Sequence, residues 1–143
     1  ATGGSTLTVD SMVGPVSATT YARVYLGSLE ASYPVSVDAA SSASVELAGG
    51  HCSYLSVSSS AGGTISLGSL VADSASLSVS SSGHLRSVSV HTASMSASSG
   101  GSLEVQVLDS AGVSCSSGAY VGIIGPGAIN VWSAWGCASP VTR

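Results

Sequence analysis

Leu55-Ser56-Val57-Ser58-Ser59-Ser60 recurs unchanged at Leu77-Ser78-Val79-Ser80-Ser81-Ser82. Each copy alternates apolar and small polar residues and then runs into Ser or Gly. That is the period of a half-buried strand followed by a turn. Degenerate copies begin at Val37, Met95 and Val113, and a weak sixth begins at Val131. Aligned on the first apolar residue, the steps are 18, 22, 18, 18 and 18 residues. Self-similarity at such a fixed period is the signature of a repeat architecture.

A second alternating run follows in most units, at Val45-Glu46-Leu47, Leu103-Glu104-Val105-Gln106-Val107 and Val121-Gly122-Ile123. Ile65-Ser66-Leu67 and Val88-Ser89-Val90 read as the same run, displaced by two or three residues. A third apolar point falls at Ala93, Ala111 and Ile129. The pattern predicts an all-β, right-handed parallel β-solenoid with coils of about 18 residues and three short strands per coil. A coil of that length traces about 60 Å at roughly 3.3 Å per residue, enough for a narrow three-sided turn. One coil cannot bury its own apolar face; stacked coils bury a continuous column. The four extra residues in the longer step are expected at a loop or wider corner between Leu67 and Ser76.

Residues 1–34 read differently. Thr6-Leu7-Thr8-Val9-Asp10 and Tyr21-Ala22-Arg23-Val24-Tyr25-Leu26 are strand-like, punctuated by Gly14-Pro15 and Tyr33-Pro34. The expected division is an N-terminal β segment or cap (1–34), a solenoid (35–136) and a C-terminal tail (137–143). Trp132, Trp135, Gly136 and Pro140 are expected to close the far end, because a bare terminal coil is an unpaired sheet edge.

The chain has 143 residues, three Arg, no Lys, seven acids and a net charge of −4. Three scattered Arg residues cannot neutralise a phosphate backbone, so no nucleic-acid partner is expected. No apolar run reaches membrane-spanning length, so no membrane span is expected. No signal-peptide pattern is read here, and the expectation is that Ala1 is not the initiator end and that such a peptide has been removed. Few cations and many hydroxyls suit an extracellular or cell-envelope location.

The runs Ala43-Ser44-Val45-Glu46-Leu47-Ala48-Gly49-Gly50, Leu55 to Gly63 and Leu77 to Gly83 resemble the putative auto-transporter adhesin head GIN domain family. The resemblance covers about residues 35–136, and the leading strands suit that family's N-terminal segment. It implies a short right-handed parallel β-helix of bacterial envelope and secreted proteins, and a role in adhesion. It brings no catalytic residues. The family's Gly-Ser-Gly corners are mostly Ser-Ser-Ser or Ser-Ser-Gly here, and its loop Lys and Asp residues are nearly absent.

Candidate chemistry is sparse. His51 beside Cys52 invites a metal reading, but the paired-ligand spacing of zinc sites is missing. His51, His84 and His91 are therefore expected to be solvent-exposed. Cys115 reads as a small buried residue in the slot of Val57, Val79 and Ala97. A Cys52–Cys137 bridge is compatible with the sequence but not required by it. Glu46 and Glu104 share one slot and Asp38 another. At three coils, about 14 Å, the two glutamates are too far apart for a catalytic carboxylate pair. No Gly-x-Ser-x-Gly elbow and no phosphate loop occurs. Outward serines are expected to form ladders open to local backbone bonding, O-glycosylation, carbohydrate or ice contact. No N-linked sequon occurs at Asn130.

The sequence thus predicts a non-enzymatic structural module for adhesion or surface presentation, without catalytic, metal or cofactor sites. The alternative is a subunit of a self-assembling extracellular filament that associates through the solenoid ends. More distant is a carbohydrate-binding or carbohydrate-cleaving β-helix. Glycans or a cell surface are the expected outside partners.

Overall fold

The computed structural model describes residues 3–4, 6–12, 16–19, 21–32, 34–126, 128–135 and 138–142. Its described residues form eleven strands and no helix. They are β1 (Thr6–Met12), β2 (Val16–Thr19), β3 (Arg23–Ala31), β4 (Val35–Ala40) and β5 (Ser44–Ser59). There follow β6 (Thr64–Val79), β7 (His84–Ala97), β8 (Ser102–Ser116), β9 (Tyr120–Ile124), β10 (Ala128–Trp135) and β11 (Ala138–Thr142). Every pairing is parallel, and the order β1-β3-β5-β6-β7-β8-β9-β11 follows the chain upward. The result is a parallel β-solenoid of about five turns. β1, β2 and β3 continue the same ladder at its N-terminal end.

Alternation builds the core. Along β5 and β6 inward residues are buried and their neighbours face out. Parallel stacking turns each inward position into a column. One runs Val24, Val45, Ile65, Leu85, Leu103, Val121. A second runs Val37, Val57, Leu77, Met95, Val113. All eleven residues are no more than 1% exposed. At about 25 cal/mol per Å² of apolar surface, such columns supply the main driving force for stacking. Ala93, Ala111 and Ile129 do stack, as the sequence indicates.

The repeat register needs correction. Val37 pairs with Val57, and Val57 with Leu77, so both steps are 20 residues and not 18 and 22. Leu55 pairs with Val35 and Ala75. The two identical hexapeptides therefore lie two residues out of register. From Leu70 onward the step falls to about 18. The longer coils carry their extra residues at a corner: Leu67-Gly68-Ser69 of β6 stands where β7 has only Ser87. Likewise Val88-Ser89-Val90 pairs with Leu70 to Ala72, one side beyond the run beginning at Ile65.

Each coil closes through a two-residue corner with positive φ at both positions. These are Ser41-Ser42, Ala61-Gly62, Ser81-Ser82, Ser99-Gly100 and Ser117-Gly118. A non-glycine residue there costs about 1–2 kcal/mol. Two sets of hydrogen bonds offset it. Within the turn, Gly63 N donates to Ser60 O (2.9 Å) and Gly83 N to Ser80 O (2.9 Å). Between turns, Ser42 N donates to Ala61 O, Gly62 N to Ser81 O, Ser82 N to Ser99 O and Gly100 N to Ser117 O, each at 3.1 Å. Ser59 is the buried polar residue among those described; its Oγ donates to Gly63 O at 2.7 Å and so pins the inside of a corner.

The cap expected from Trp132, Trp135, Gly136 and Pro140 rests on residues or side chains outside those described.

Two predictions follow from this register. Val57→Asp places a charge in a dry column and should abolish cooperative thermal unfolding, whereas Ser58→Asp, one residue on and exposed, should stay within about 1 kcal/mol of wild type. At the corners, a Cβ on Gly83 would lie 2.6 Å from Ser59 O, whereas one on Gly118 meets nothing within 4 Å. Gly83→Ala should therefore cost about 3 kcal/mol or more in denaturant titration, and Gly118→Ser only the about 1–2 kcal/mol of its left-handed backbone.

Candidate functional site

A strand of this solenoid presents every second side chain to solvent, and parallel stacking lines these up as outward columns. Across the face begun by β3, one column is Thr6, Arg23, Ser44, Thr64, His84, Ser102, Tyr120. Beside it stand Thr8, Tyr25, Glu46, Ser66 and Arg86. Arg86 Nε meets Glu104 Oε2 at 3.8 Å, on an exposed pair.

At the N-terminal end of this face lies an open groove of about 630 Å³, lined by Gly4, Thr6, Tyr21, Arg23, Tyr25, Ser42, Ser44 and Glu46. Tyr21 is 70% exposed and Tyr25 37%. Arg23 and Glu46 are exposed, and among the described residues neither is in an ion pair. Tyr21 occupies the second left-handed corner position, with φ of 59°. Its N–H donates to Ser41 O at 3.1 Å. The other coils place Ser42, Gly62, Ser82, Gly100 and Gly118 at that position. An aromatic side chain in a slot otherwise held by Ser or Gly stands proud of the wall.

A different edge carries the histidines. Glu30 pairs in register with His51. His51 Nε2 lies 3.3 Å from Asp73 Oδ1, and His91 Nδ1 lies 3.0 Å from Asp109 Oδ2. All four paired side chains are about half exposed. Thr92 Oγ1 donates to Asp73 O at 3.2 Å, tying adjacent coils at this edge. Neither imidazole is hydrogen-bonded to a serine among the described residues, so no Ser-His-Asp relay is assembled there. His84 sits apart, at the start of β7.

His51 and Cys52 point to opposite sides of β5: His51 is exposed and Cys52 is fully buried. They cannot ligate one metal together, and no group of three potential ligands occurs among the described residues. Glu46 and Glu104 do share one column, with Ser66 and Arg86 between them, as their spacing indicates. Asp38 lies on another side, in the row Ser17, Asp38, Ser58, Ser78, Ser96, Ser114. Ser36, Ser56, Ser76 and Ser94 form a neighbouring row. The serine ladders inferred from the repeat are thus real in-register rows.

The cysteines differ from expectation. Cys115 is buried, but its column is Ser59, Val79, Ala97 and not Val57. It is also disulfide-bonded and not a bare apolar filler. Cys52 is a free thiol, so it forms no bridge; Cys137 lies outside the described residues.

Against this geometry, a family model described as "Putative auto-transporter adhesin, head GIN domain" matches residues 1–107. The chain belongs to the head GIN domain family. That family points to a surface adhesion module with a cell-envelope or surface location. The matched stretch takes in the whole groove and ends within β8. No curated protein and no solved structure matches the chain. Sequence reading missed the groove of this head GIN domain. The signal was the alternation Tyr21-x-Arg23-x-Tyr25, two aromatics flanking a cation on one outward face.

The Cys52 thiol is pushed from its ordinary 9.0 up to about 11, first by burial and then by the negative charge of Asp73. The folded state therefore holds this proton more tightly than the unfolded state. The resulting stability is complete below pH 9 and is lost as pH rises through about 11. Thermal unfolding between pH 8 and 11 should show a steeper decline for wild type than for Cys52→Ala.

Proposed function

We propose that this head GIN domain is a non-enzymatic module for adhesion or surface presentation, a stiff column that holds an outward binding face away from a cell. The observation that carries the reading is the groove at Tyr21, Arg23, Tyr25 and Glu46. Exposed aromatics and unpaired charges converge there on a wall otherwise covered by small hydroxyls. The separation of Glu46 from Glu104, and the pairing of both edge imidazoles with aspartates and, among the described residues, with no serine hydroxyl, favour binding over catalysis. No helix among the described residues is long and apolar enough to cross a membrane.

A second reading is self-association at the end of the stack. Leu7, above Val24 in the core column, is 45% exposed, and an added parallel strand would cover it.

Beads coated with the full chain should adhere to epithelial cell layers several-fold better than albumin-coated beads. Adhesion no better than albumin would defeat the first reading. Sedimentation velocity on the same preparation decides the second: a single monomeric species at all concentrations rules out end-to-end assembly.

A further inference from the structure

We infer that the groove between β1, β3 and β5 is a carbohydrate subsite that takes a neutral pyranose bearing vicinal hydroxyls. The inference rests on the adhesion reading and gives it a ligand class.

The size fits first. Arg23 and Tyr25 lie two residues apart on one strand, roughly 7 Å, and Ser44 and Glu46 lie one strand away, roughly 4.8 Å. With Thr6 on the third strand, the floor accommodates one or two sugar rings. A volume of about 630 Å³ is within the usual range for small-ligand sites.

The chemistry fits next. A pyranose has an apolar C–H face and a rim of hydroxyls. Tyr21 and Tyr25 supply exposed aromatic faces of low conformational-entropy cost for the first. Glu46 accepts hydrogen bonds from two adjacent hydroxyls, and Arg23 donates to a hydroxyl or ring oxygen. Thr6, Ser42 and Ser44 hydroxyls border the same space. Among the described residues neither charge is in an ion pair, so both remain available to a ligand.

Charge then selects among ligands. One guanidinium beside one carboxylate leaves the groove neutral, in a chain of net charge −4. Polyphosphates and polyanionic chains find no cationic cluster here. An apolar peptide finds no aliphatic pocket, since the described lining residues include no Val, Leu or Ile. A neutral polyhydroxylated ring satisfies the donors, the acceptors and the aromatic faces together.

Tyr21 is the diagnostic residue. Its corner position carries Gly62, Gly100 and Gly118 in other coils, all with positive φ. Tyr21→Gly therefore removes the aromatic face at a site where glycine fits the backbone. The experiment screens the full chain on an array of neutral, sialylated and uronic-acid glycans, then titrates the bound neutral oligosaccharides by calorimetry. Wild type should bind neutral glycans. Tyr21→Gly and Glu46→Gln should each weaken that binding about tenfold or more, with melting temperatures equal to or above wild type for Tyr21→Gly. Arg86→Gln, on the same face but two coils away, should bind as wild type. Binding to acidic glycans alone, no glycan binding, or affinity within twofold of wild type in both groove variants would overturn the subsite. Bead adhesion separates the two readings. Beads that adhere equally well with Tyr21→Gly leave the adhesion module standing and remove the glycan subsite; beads that never adhere remove both.

Discussion

The left-handed corner is the constraint on which the rest of this solenoid depends. Sheet pairing alone tolerates slippage along the strands, because any shift of two residues preserves which side chains face inward. The corners do not. Each is closed by its own hydrogen bond and linked to the next by another, through Ser42, Gly62, Ser82 and Gly100. Ser59 braces one corner from the inside. Once the corners are stacked, the phase of every coil is set, and with it the aliphatic columns through Val57 and Ile65.

The outward chemistry is a product of that phase. Residues distant in sequence become neighbours only because corresponding positions stack. Arg86 meets Glu104, His51 meets Asp73 and His91 meets Asp109 across single rungs. The groove arises the same way, from segments near residues 6, 23 and 44. The wall is otherwise so uniform in serine that a local change of side chain size or charge is a change of surface character. Tyr21 shows this most clearly, since it replaces a small residue at a position where bulk is costly.

The architecture was legible because alternation and a short period survive in nearly every coil. Leu77, Met95 and Val113 align at 18-residue steps in the sequence, and they do stack. The identical hexapeptides misled for a physical reason. Leu55 and Leu77 both face inward, so superposing them violates no burial rule and still displaces the coil by two residues. What decides the register is the length of the corner at Leu67-Gly68-Ser69, where the buried Leu67 only continues the alternation begun at Ile65 and so does not mark the extra residues. The groove was hidden by a related effect. Its strands are offset by 17 residues between Thr6 and Arg23 and by 21 between Arg23 and Ser44, so an 18-residue ruler never lays them side by side. Cys115 was misread because burial and alternation describe a packed thiol and a bridged one identically.

The single-file order of the rungs, from β1 at one end to β11 at the other, bears on mechanics. A tether attached at one end of the chain and an anchor at the other would load the ladder like a zipper. Force then acts on one inter-strand row at a time, and each rung holds only through its neighbour. Such a column yields in steps and lengthens under tension, lowering the peak load that reaches whatever is gripped at its tip.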